Sequence, residues 1–191
     1  NKMATTKIKI LEIINETYNT KTFRFKKTKK INFVSGQFCT VGFVDKENKK
    51  LGTRPFTFSS SPTKPYFDFT IKKMGEFTTK LFEAKVGDKL FMDKPKGDAL
   101  NFNEKSMKHI VYICGGSGIT PAMSTIRNIT ENKLDNGIAV LYANQTRKDI
   151  IYFNELNKIA QDNKKIHVFH VLSNEDFDWN GEMGYVNQKI I

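Results

Sequence analysis

The chain of 191 residues is 39% hydrophobic and 12% aromatic and carries a net charge of +11, which excludes an intrinsically disordered chain and suits one large domain or two small ones. Its two cysteines, Cys39 and Cys114, lie far apart, which excludes a disulfide framework and a zinc or iron–sulfur ligand set and indicates a reducing compartment. No apolar run approaches the roughly 20 residues of a membrane span, and the first residues form no signal-peptide core, so we expect a cytoplasmic protein without a membrane span.

The first half of the chain has the period of two that is typical of β-strands. Six short segments alternate apolar and polar residues between turns: TKIKILEII, TKTFRFKK, GQFCTVGFV, TRPFTFSS, YFDFTIKK and DKLFMD. This pattern predicts a small six-stranded antiparallel β-barrel over residues 1–100. One segment differs, because GEFTTKLFEA places Phe77, Leu81 and Phe82 at helical spacing directly after Gly75.

The second half changes period. HIVYIC is a continuous apolar run, which predicts a strand buried on both faces. It is followed by a turn and helix in GGSGITPAMSTIRNITEN, a strand in GIAVLYA, a helix in DIIYFNELNKIAQ and a strand in KIHVFHVLS. This alternation predicts an α/β domain with a doubly wound parallel sheet over residues 101–191, joined to the barrel by the polar residues 101–108.

The segment CGGSGITP follows the first predicted strand of that sheet, where such sheets bind ligands. Gly116 and Gly118 match the first two glycines of a dinucleotide fingerprint, and Pro121 replaces the third and suits the first turn of a helix. The alternative is a plain tight turn. The next strand ends in neutral Asn144, Gln145 and Thr146 and basic Arg147, so Arg147 either meets the extra phosphate of NADP or is simply exposed.

The segment RPFTFSS offers a cation, an aromatic plane and a row of hydroxyls on one strand. Thr78 lies in the first turn of the helix predicted after Gly75, a second helix start suited to phosphate. A flavin dinucleotide uses all of these groups, because its ring stacks on aromatics, its polyol chain takes hydroxyl contacts and its pyrophosphate binds Arg and helix N–H groups.

On these motifs, and on GQF, FDFTIKK, VGDKL, LYANQTRKDIIYFNEL and VLSNEDFDWNGEMGYV, the chain resembles the ferredoxin–NADP reductase superfamily along nearly its whole length. The similarity is greatest to the NADH–cytochrome reductase and flavin reductase branch. It implies FAD and NAD(P)H as cofactors and hydride transfer from NAD(P)H to FAD. Electrons then pass to a ferredoxin, a flavodoxin, a haem protein or a small molecule.

The resemblance also implies roles for individual residues. Arg54 would bind the flavin pyrophosphate, Phe56 would pack on the ring, and Thr57 would hydrogen-bond near the redox-active nitrogen. The resemblance further assigns FAD contacts to Pro55, Thr70, Ile71, Lys72, Gly75, Phe77 and Thr78, and NAD(P) contacts to Gly115, Gly116, Ser117, Gly118, Thr120, Pro121, Asn144, Gln145, Thr146, Arg147 and Ser173. Separately, His167 and His170 lie three apart on a predicted strand and so point to opposite faces, and we expect no metal site.

Three features depart from the family pattern. Phe56 stands where Tyr is more common, and Arg147 and Ser173 stand where the branch has acidic residues. The loss of the two acidic residues at Arg147 and Ser173 favours binding of NADPH. However, Asn174 follows Ser173 where NADP-using relatives usually have Arg. The family also continues for about 40 residues beyond Ile191, so we expect a nucleotide domain without its last strand. That leaves a second reading, a flavin-binding electron-transfer subunit or redox sensor without its own NAD(P)H chemistry.

The net charge is unevenly divided. Residues 1–100 hold 21 basic and 10 acidic side chains, and residues 101–191 hold 10 of each. This division predicts an acidic electron-acceptor protein docked on the flavin half, and the alternative is a lysine-rich composition without a partner. Nucleic acid is excluded as a partner, because only four of the 31 basic residues are Arg and no recognisable module is present.

Overall fold

The computed structural model describes residues 5–44, 50–174 and 178–187. The strands are β1 (Thr6–Thr17), β2 (Thr20–Lys26), β3 (Phe38–Val44), β4 (Lys50–Thr57), β5 (Tyr66–Lys72), β6 (Lys89–Met92), β7 (His109–Gly115), β8 (Gly137–Asn144), β9 (Ile166–Leu172) and β10 (Glu182–Met183). The α-helices are α1 (Glu76–Phe82), α2 (Thr120–Glu131) and α3 (Phe153–Asp162). None of these described helices is both long and apolar enough to cross a membrane.

The first six strands form one antiparallel sheet in the order β4-β3-β6-β1-β2-β5. A bridge between Phe58 and Phe69 joins the end of β4 to β5, so that the sheet curls into a barrel. The strand alternation explains the packing, since Ile8 and Ile10 on β1 and Phe23 and Phe25 on β2 are all buried. The predicted barrel is therefore confirmed.

Aromatic side chains fill the barrel. The rings of Phe33 and Phe58 stack with centroids 4.0 Å apart, and Phe58 also packs on Phe67 and Phe69. Phe25 stacks on Phe67 with centroids 5.3 Å apart. Aromatic pairs of this kind add to the free energy gained by burying their surface. The end of β4 is fixed in place because Phe58, directly after it, is part of this core.

The remaining strands form a parallel sheet in the order β10-β9-β8-β7. Apolar side chains of α2 and α3, including Ile126, Ile129 and Leu156, pack with Ile138 and Val140 of β8 into a second core. The predicted α/β domain is therefore confirmed, together with the short helix after Gly75.

Two sequence predictions in this half were wrong. Strand β7 is not buried on both faces: Val111 is 69% exposed and Ile113 54%, because within the described residues β7 pairs only with β8, and α2 covers only the opposite face of the strand. The helix predicted to begin at DIIYF begins later, at Phe153. Tyr152 precedes it with φ 62° and ψ 24°, in the left-handed region.

The two halves are joined by polar contacts. Ser124 Oγ of α2 donates to the Ser60 carbonyl at 2.8 Å, and Ser35 Oγ donates to the Ser124 carbonyl at 3.2 Å. Tyr18, at the β1–β2 turn, donates from its phenol to Asp149 Oδ1 at 2.8 Å. These bonds hold the α/β half of the chain, residues 101–191, against the barrel. Because the sequence predicts a nucleotide site there, we refer to it as the nucleotide half.

Candidate functional site

A groove of about 490 Å³ opens where β4, β5 and α1 meet the glycine turn after β7. Its walls contain all ten residues that the family resemblance assigns to FAD: Arg54, Pro55, Phe56, Thr57, Thr70, Ile71, Lys72, Gly75, Phe77 and Thr78. Ser117 and Thr120 of the glycine turn also line it, as do Met74 and Glu76. The strand end, the helix start and the turn therefore converge on one space, which we call the first groove.

One wall of the first groove is aromatic. Phe56 is half-buried and packs against Phe69 and Phe77, with ring centroids 6.3 and 6.0 Å away. Thr57 follows on the opposite face of the strand and is also half-buried on the wall. This wall offers a flat apolar surface beside a hydroxyl, the arrangement that a flavin ring needs.

Arg54 supplies the cation of the first groove. Its side chain is exposed, and its guanidinium lies 5.8 Å from the centroid of the Phe77 ring, with Nη1 donating to the Thr53 carbonyl at 2.8 Å. A guanidinium has five N–H donors, so this arrangement leaves donors that can bind a phosphate in pairs.

The helix start at Gly75 is organised by Thr78. Its Oγ1 accepts from the backbone N–H groups of Met74 and Gly75 at 2.8 and 3.0 Å and donates to the Gly75 carbonyl at 3.0 Å. A hydroxyl makes at most three hydrogen bonds, so this one is fully used. Thr78 therefore shapes the turn, and a phosphate here would meet its backbone rather than its hydroxyl.

The serine hydroxyls at the end of RPFTFSS, together with that of the following Ser61, do not serve a ligand as the sequence predicts. Ser59, Ser60 and Ser61 are buried, with Ser59 Oγ donating to the Asp68 carbonyl and Ser60 Oγ accepting from the Asp68 N–H. Ser61 Oγ pairs with Thr63 Oγ1 at 2.9 Å. These three hydroxyls pair with the protein itself and lie outside the walls of the first groove.

The glycine turn depends on one backbone conformation. Gly116 has φ 50°, which disfavours other residues, and an added Cβ on Gly115 would lie 3.3 Å from the Ala143 carbonyl oxygen. The phenol of Tyr142 donates to the Gly116 carbonyl at 2.9 Å, and Thr120 Oγ1 donates to the Ser117 carbonyl at 3.1 Å. The turn is thereby fixed between the sheet and α2, which continues through Pro121.

A second groove of about 260 Å³ lies on the other side of this turn. Gly116, Asn144, Gln145 and Ser173 line it as the sequence suggested. Its other wall residues are Lys72, Ala143, Asp149, Gly184, Tyr185 and Val186. Lys72 therefore lines both grooves, reaching from the barrel to the nucleotide half.

The buried side chain of Asn144 is suited to binding a ligand. Among the described residues, neither its amide nitrogen nor its amide oxygen has a hydrogen-bond partner. Unpaired buried polar groups are costly and are rare outside binding sites. An amide that offers one donor and one acceptor at the strand end matches the hydroxyls and amide of a nucleotide.

Thr146 and Arg147 lie outside the walls of the second groove. Thr146 Oγ1 donates to Asp149 Oδ2 at 2.7 Å, and the Arg147 guanidinium lies 5.1 Å from the centroid of the Phe153 ring. Sequence reasoning missed Tyr185 and Asp149 as wall residues. Tyr185 follows a glycine in GEMGYV, and a glycine is a local sequence signal of a turn. Gly184 has φ 107° in the structure, so this signal could have identified Tyr185.

The groups on the walls of the two grooves match those that FAD and a nicotinamide nucleotide require. The first has an aromatic wall, an exposed guanidinium and a helix start, and the second has a glycine turn and, among the described residues, a buried amide without a partner. These donor sets fit both molecules. Within the described residues, no group of three or more His, Cys, Asp or Glu is placed to hold a metal ion.

Each half of the chain matches a known protein family. Residues 7–100 match the oxidoreductase FAD-binding domain family, and residues 112–191 match the oxidoreductase NAD-binding domain family. NADH-cytochrome b5 reductase 1 of Aspergillus terreus is 31% identical over 187 residues, covering 92% of this chain and 63% of that protein. The Dictyostelium discoideum protein of the same name is 30% identical, covering 97% and 66%. The chain thus spans slightly under two thirds of the length of these relatives.

Solved structures share the fold. The CS-b5R domains of human Ncb5or superpose with a TM-score of 0.83 at 23% identity, covering 100% of this chain and 57% of that one. A ferredoxin NADP+ reductase from Neisseria gonorrhoeae, with bound FAD and NADP, superposes with a TM-score of 0.80 at 19% identity, covering 95% and 73%. At these identities the likeness establishes the two-domain architecture.

The carboxylate of Asp149 gives a pH-dependent test of the second groove. Burial raises its pKa, but hydrogen bonds from the Thr146 hydroxyl, the Tyr18 phenol and the Thr146 N–H outweigh burial and hold the pKa below its usual range. A depressed pKa stabilises the fold above the unfolded-state value, about 3.9, and this stabilisation is lost as the pH falls through the folded-state value. We expect Asp149→Asn to lower the free energy of unfolding by about 1 kcal/mol at pH 7.

The measurement is denaturant unfolding of both proteins from pH 7 down to pH 3. The difference between them should begin to shrink below about pH 4, where the unfolded chain takes up a proton that the folded carboxylate still excludes. Asp162→Asn, which changes an exposed carboxylate paired with Lys158, is the matched control and should stay near wild type throughout. A difference for Asp149→Asn that is constant with pH would show that the charge is not what stabilises this turn.

Proposed function

Because this chain belongs to the ferredoxin–NADP reductase superfamily, we propose that it is a flavoprotein reductase that moves a hydride from NAD(P)H to FAD and electrons onward to an acceptor. The observation that carries the proposal is the pair of grooves that meet at Lys72 and the glycine turn. Two ligands that occupy these grooves lie side by side, and holding two reactants in contact is the main task of the protein in hydride transfer. Bound FAD supplies the redox chemistry, since it takes up a hydride and releases electrons singly or in pairs.

In this proposal the barrel half, residues 1–100, binds FAD. Phe56 packs on the flavin ring, Thr57 hydrogen-bonds at the ring edge, and Arg54 binds the pyrophosphate. The backbone from Gly75 to Thr78 adds N–H groups to the pyrophosphate site, and Thr70, Ile71 and Lys72 line the path between ring and phosphate. The exposed guanidinium and the aromatic wall of the first groove support this assignment.

The other half, residues 101–191, binds NAD(P)H. The turn from Gly115 to Pro121 holds the nicotinamide end, and the side chains of Asn144, Gln145 and Ser173 bind the adenosine end. Tyr185 offers a ring beside the adenine. The unpaired amide of Asn144 and the position of Lys72 between the grooves support this assignment. Among the residues assigned to either ligand none is a general base, and hydride transfer requires none.

The proposal predicts that the purified protein takes up FAD and that NAD(P)H bleaches the visible absorbance of the flavin under anaerobic conditions. Arg54→Ala should weaken FAD binding at least about tenfold, since a hydrogen bond to a charged group contributes about 1.5–3 kcal/mol. FAD titration followed by stopped-flow absorbance measures both properties. Lys89→Ala, which removes an exposed cation from β6, is the control and should bind FAD normally.

Two outcomes would contradict the proposal in different ways. A protein that binds no flavin would exclude the whole assignment. A flavin that binds but is not reduced by NADH or NADPH would favour an electron-transfer subunit or redox sensor without its own nicotinamide chemistry.

We further propose that NADPH is used at least as well as NADH. The wall of the second groove carries the hydroxyl of Ser173, so no carboxylate at that position repels a 2′-phosphate. Ser173→Asp should raise the KM for NADPH at least about tenfold more than the KM for NADH, because like charges repel. Ser173→Asn keeps a neutral side chain and should change both KM values alike. Equal effects of the aspartate on the two nucleotides would remove Ser173 from the phosphate site.

The charge division supports an acidic protein as the electron acceptor, docked on the flavin half. Lys73 and Lys80 are exposed and close in sequence to wall residues of the first groove, with Lys80 Nζ 5.0 Å from the centroid of the Phe43 ring. Lys26, Lys29 and Lys30 are exposed on the barrel. Lys27 is already engaged, because its ammonium contacts the Pro62 carbonyl and the Phe33 ring. Three further lysines of the basic half, Lys46, Lys49 and Lys50, form a second cluster in the sequence. Lys46 and Lys49 lie outside the described residues, as does the side chain of Lys50.

An acceptor panel at low salt and at about 0.5 M salt tests this docking, since salt at that concentration screens charges beyond a few ångströms. Acidic ferredoxin or flavodoxin should be reduced several-fold more slowly at high salt, whereas a neutral quinone should be unaffected. Replacing Lys73 and Lys80 with Gln should reproduce the high-salt rate. Equal salt dependence of the protein acceptor and the quinone would favour a small-molecule acceptor.

A further inference from the structure

Tyr152 connects the nucleotide half to the flavin-binding strand through a chain of hydroxyl groups. It lies directly before α3, and its side chain is 4% exposed. Its phenol donates to Thr70 Oγ1 on β5, which belongs to the barrel. Thr70 lies on the wall of the first groove, so this bond joins the nucleotide half to the groove itself.

The direction of the chain follows from the donors available. Thr22 Oγ1 donates to the carboxylate of Glu16, so its other contact, with Thr70 Oγ1 at 2.6 Å, must have Thr70 as donor. Thr70 has then used its one proton and accepts from Tyr152. Ser59 Oγ lies 3.0 Å from Thr70 Oγ1, but its own proton is donated to the Asp68 carbonyl. The hydroxyl protons are therefore donated in one direction: Tyr152 donates to Thr70, Thr70 to Thr22, and Thr22 to Glu16.

This chain leaves Thr70 little hydrogen-bonding capacity for a ligand. Its proton goes to Thr22, its oxygen accepts from Tyr152, and Ser59 Oγ lies 3.0 Å from the same oxygen. The side chain of Thr70 thus ties β5 to the nucleotide half instead of binding the flavin chain.

The backbone of Tyr152 is held in an unfavourable conformation. Its φ of 62° lies in the left-handed region, which a bulky residue seldom adopts unless its surroundings hold it there. The Arg127 guanidinium lies over its ring, 4.8 Å from the centroid, and donates to the Ser59 carbonyl at 2.8 Å. The phenol is thereby held against Thr70 by contacts from both halves.

We propose that Tyr152 is a positioning residue that sets the spacing of the two grooves by fixing β5, through Thr70, against the nucleotide half. This inference rests on the proposed function, because the spacing matters only if a hydride crosses between the grooves. Lys72 lies two residues after Thr70 on the same face of β5 and lines both grooves, so a shift of Thr70 also moves Lys72.

The test is Tyr152→Phe, which keeps the ring under Arg127 and removes only the phenolic oxygen. We expect the limiting rate of flavin reduction in stopped-flow to fall at least tenfold, with the KM for NADPH and the dissociation constant of FAD changing less than threefold. Tyr112→Phe is the matched control. It also removes a phenol bonded to a threonine hydroxyl, that of Thr125 at 3.0 Å, but within the nucleotide half, and should leave the limiting rate unchanged.

A second readout needs no turnover. The free energy of unfolding is measured in denaturant for Tyr152→Phe, Thr70→Val and the double variant. The double variant should be as stable as the less stable of the two single variants, because both changes break the same bond. Additive losses would overturn the hydroxyl link. Normal flavin reduction in Tyr152→Phe overturns this inference alone, whereas a wild-type protein that takes up no flavin overturns the proposed function and this role with it.

Discussion

The largely enclosed guanidinium of Arg127, whose side chain is 15% exposed, is the contact on which the arrangement of the two halves depends. It forms a paired hydrogen bond with Glu155 at 2.8 and 2.7 Å, donates to the Ser59 carbonyl and covers the ring of Tyr152. A charge removed from water is tolerated only with such complete pairing, so Arg127 allows few alternative positions of α2 against the barrel. Since α2 continues directly from the glycine turn, this constraint also fixes the distance between the two grooves.

Hydroxyl groups near the grooves are consumed by the protein, and this shapes what is left for ligands. Thr78 uses all three of its hydrogen-bonding positions, Thr70 bonds to Tyr152 and Thr22, and the buried serines after β4 pair with Asp68 and Thr63. The walls instead offer backbone, aromatic surface, the side chains of Arg54 and Lys72, and the hydroxyls of Thr57 and Ser173. Groups held by the protein in this way are rigid, and rigid walls position a ligand more closely than mobile side chains.

The sequence predicted those features of the fold that depend on the pattern of residues within a short segment. Alternation placed Ile8, Ile10, Phe23 and Phe25 inside the barrel, and the glycines marked the turn between the grooves, because period and backbone freedom are properties of short segments. It failed where a residue's environment is set by distant segments. The exposure of β7 depends on what packs beside it, and the burial of Ser59 depends on α2. The position of Arg147 over Phe153 and the exposed ring of Tyr185 in the second groove are likewise tertiary outcomes.

The outward face of β5 shows how one strand serves both ligands. Alternation along the strand directs Ile71 into the barrel core and turns Thr70 and Lys72 toward the nucleotide half. The first of these is bound by a phenol from that half, and the second projects between the grooves. A single register in β5 therefore determines the barrel packing, the contact between the halves and the position of a cation beside both grooves. Shifting that register by one residue would reverse all three at once, so the hydrophobic core that fixes the register also fixes the geometry of the site.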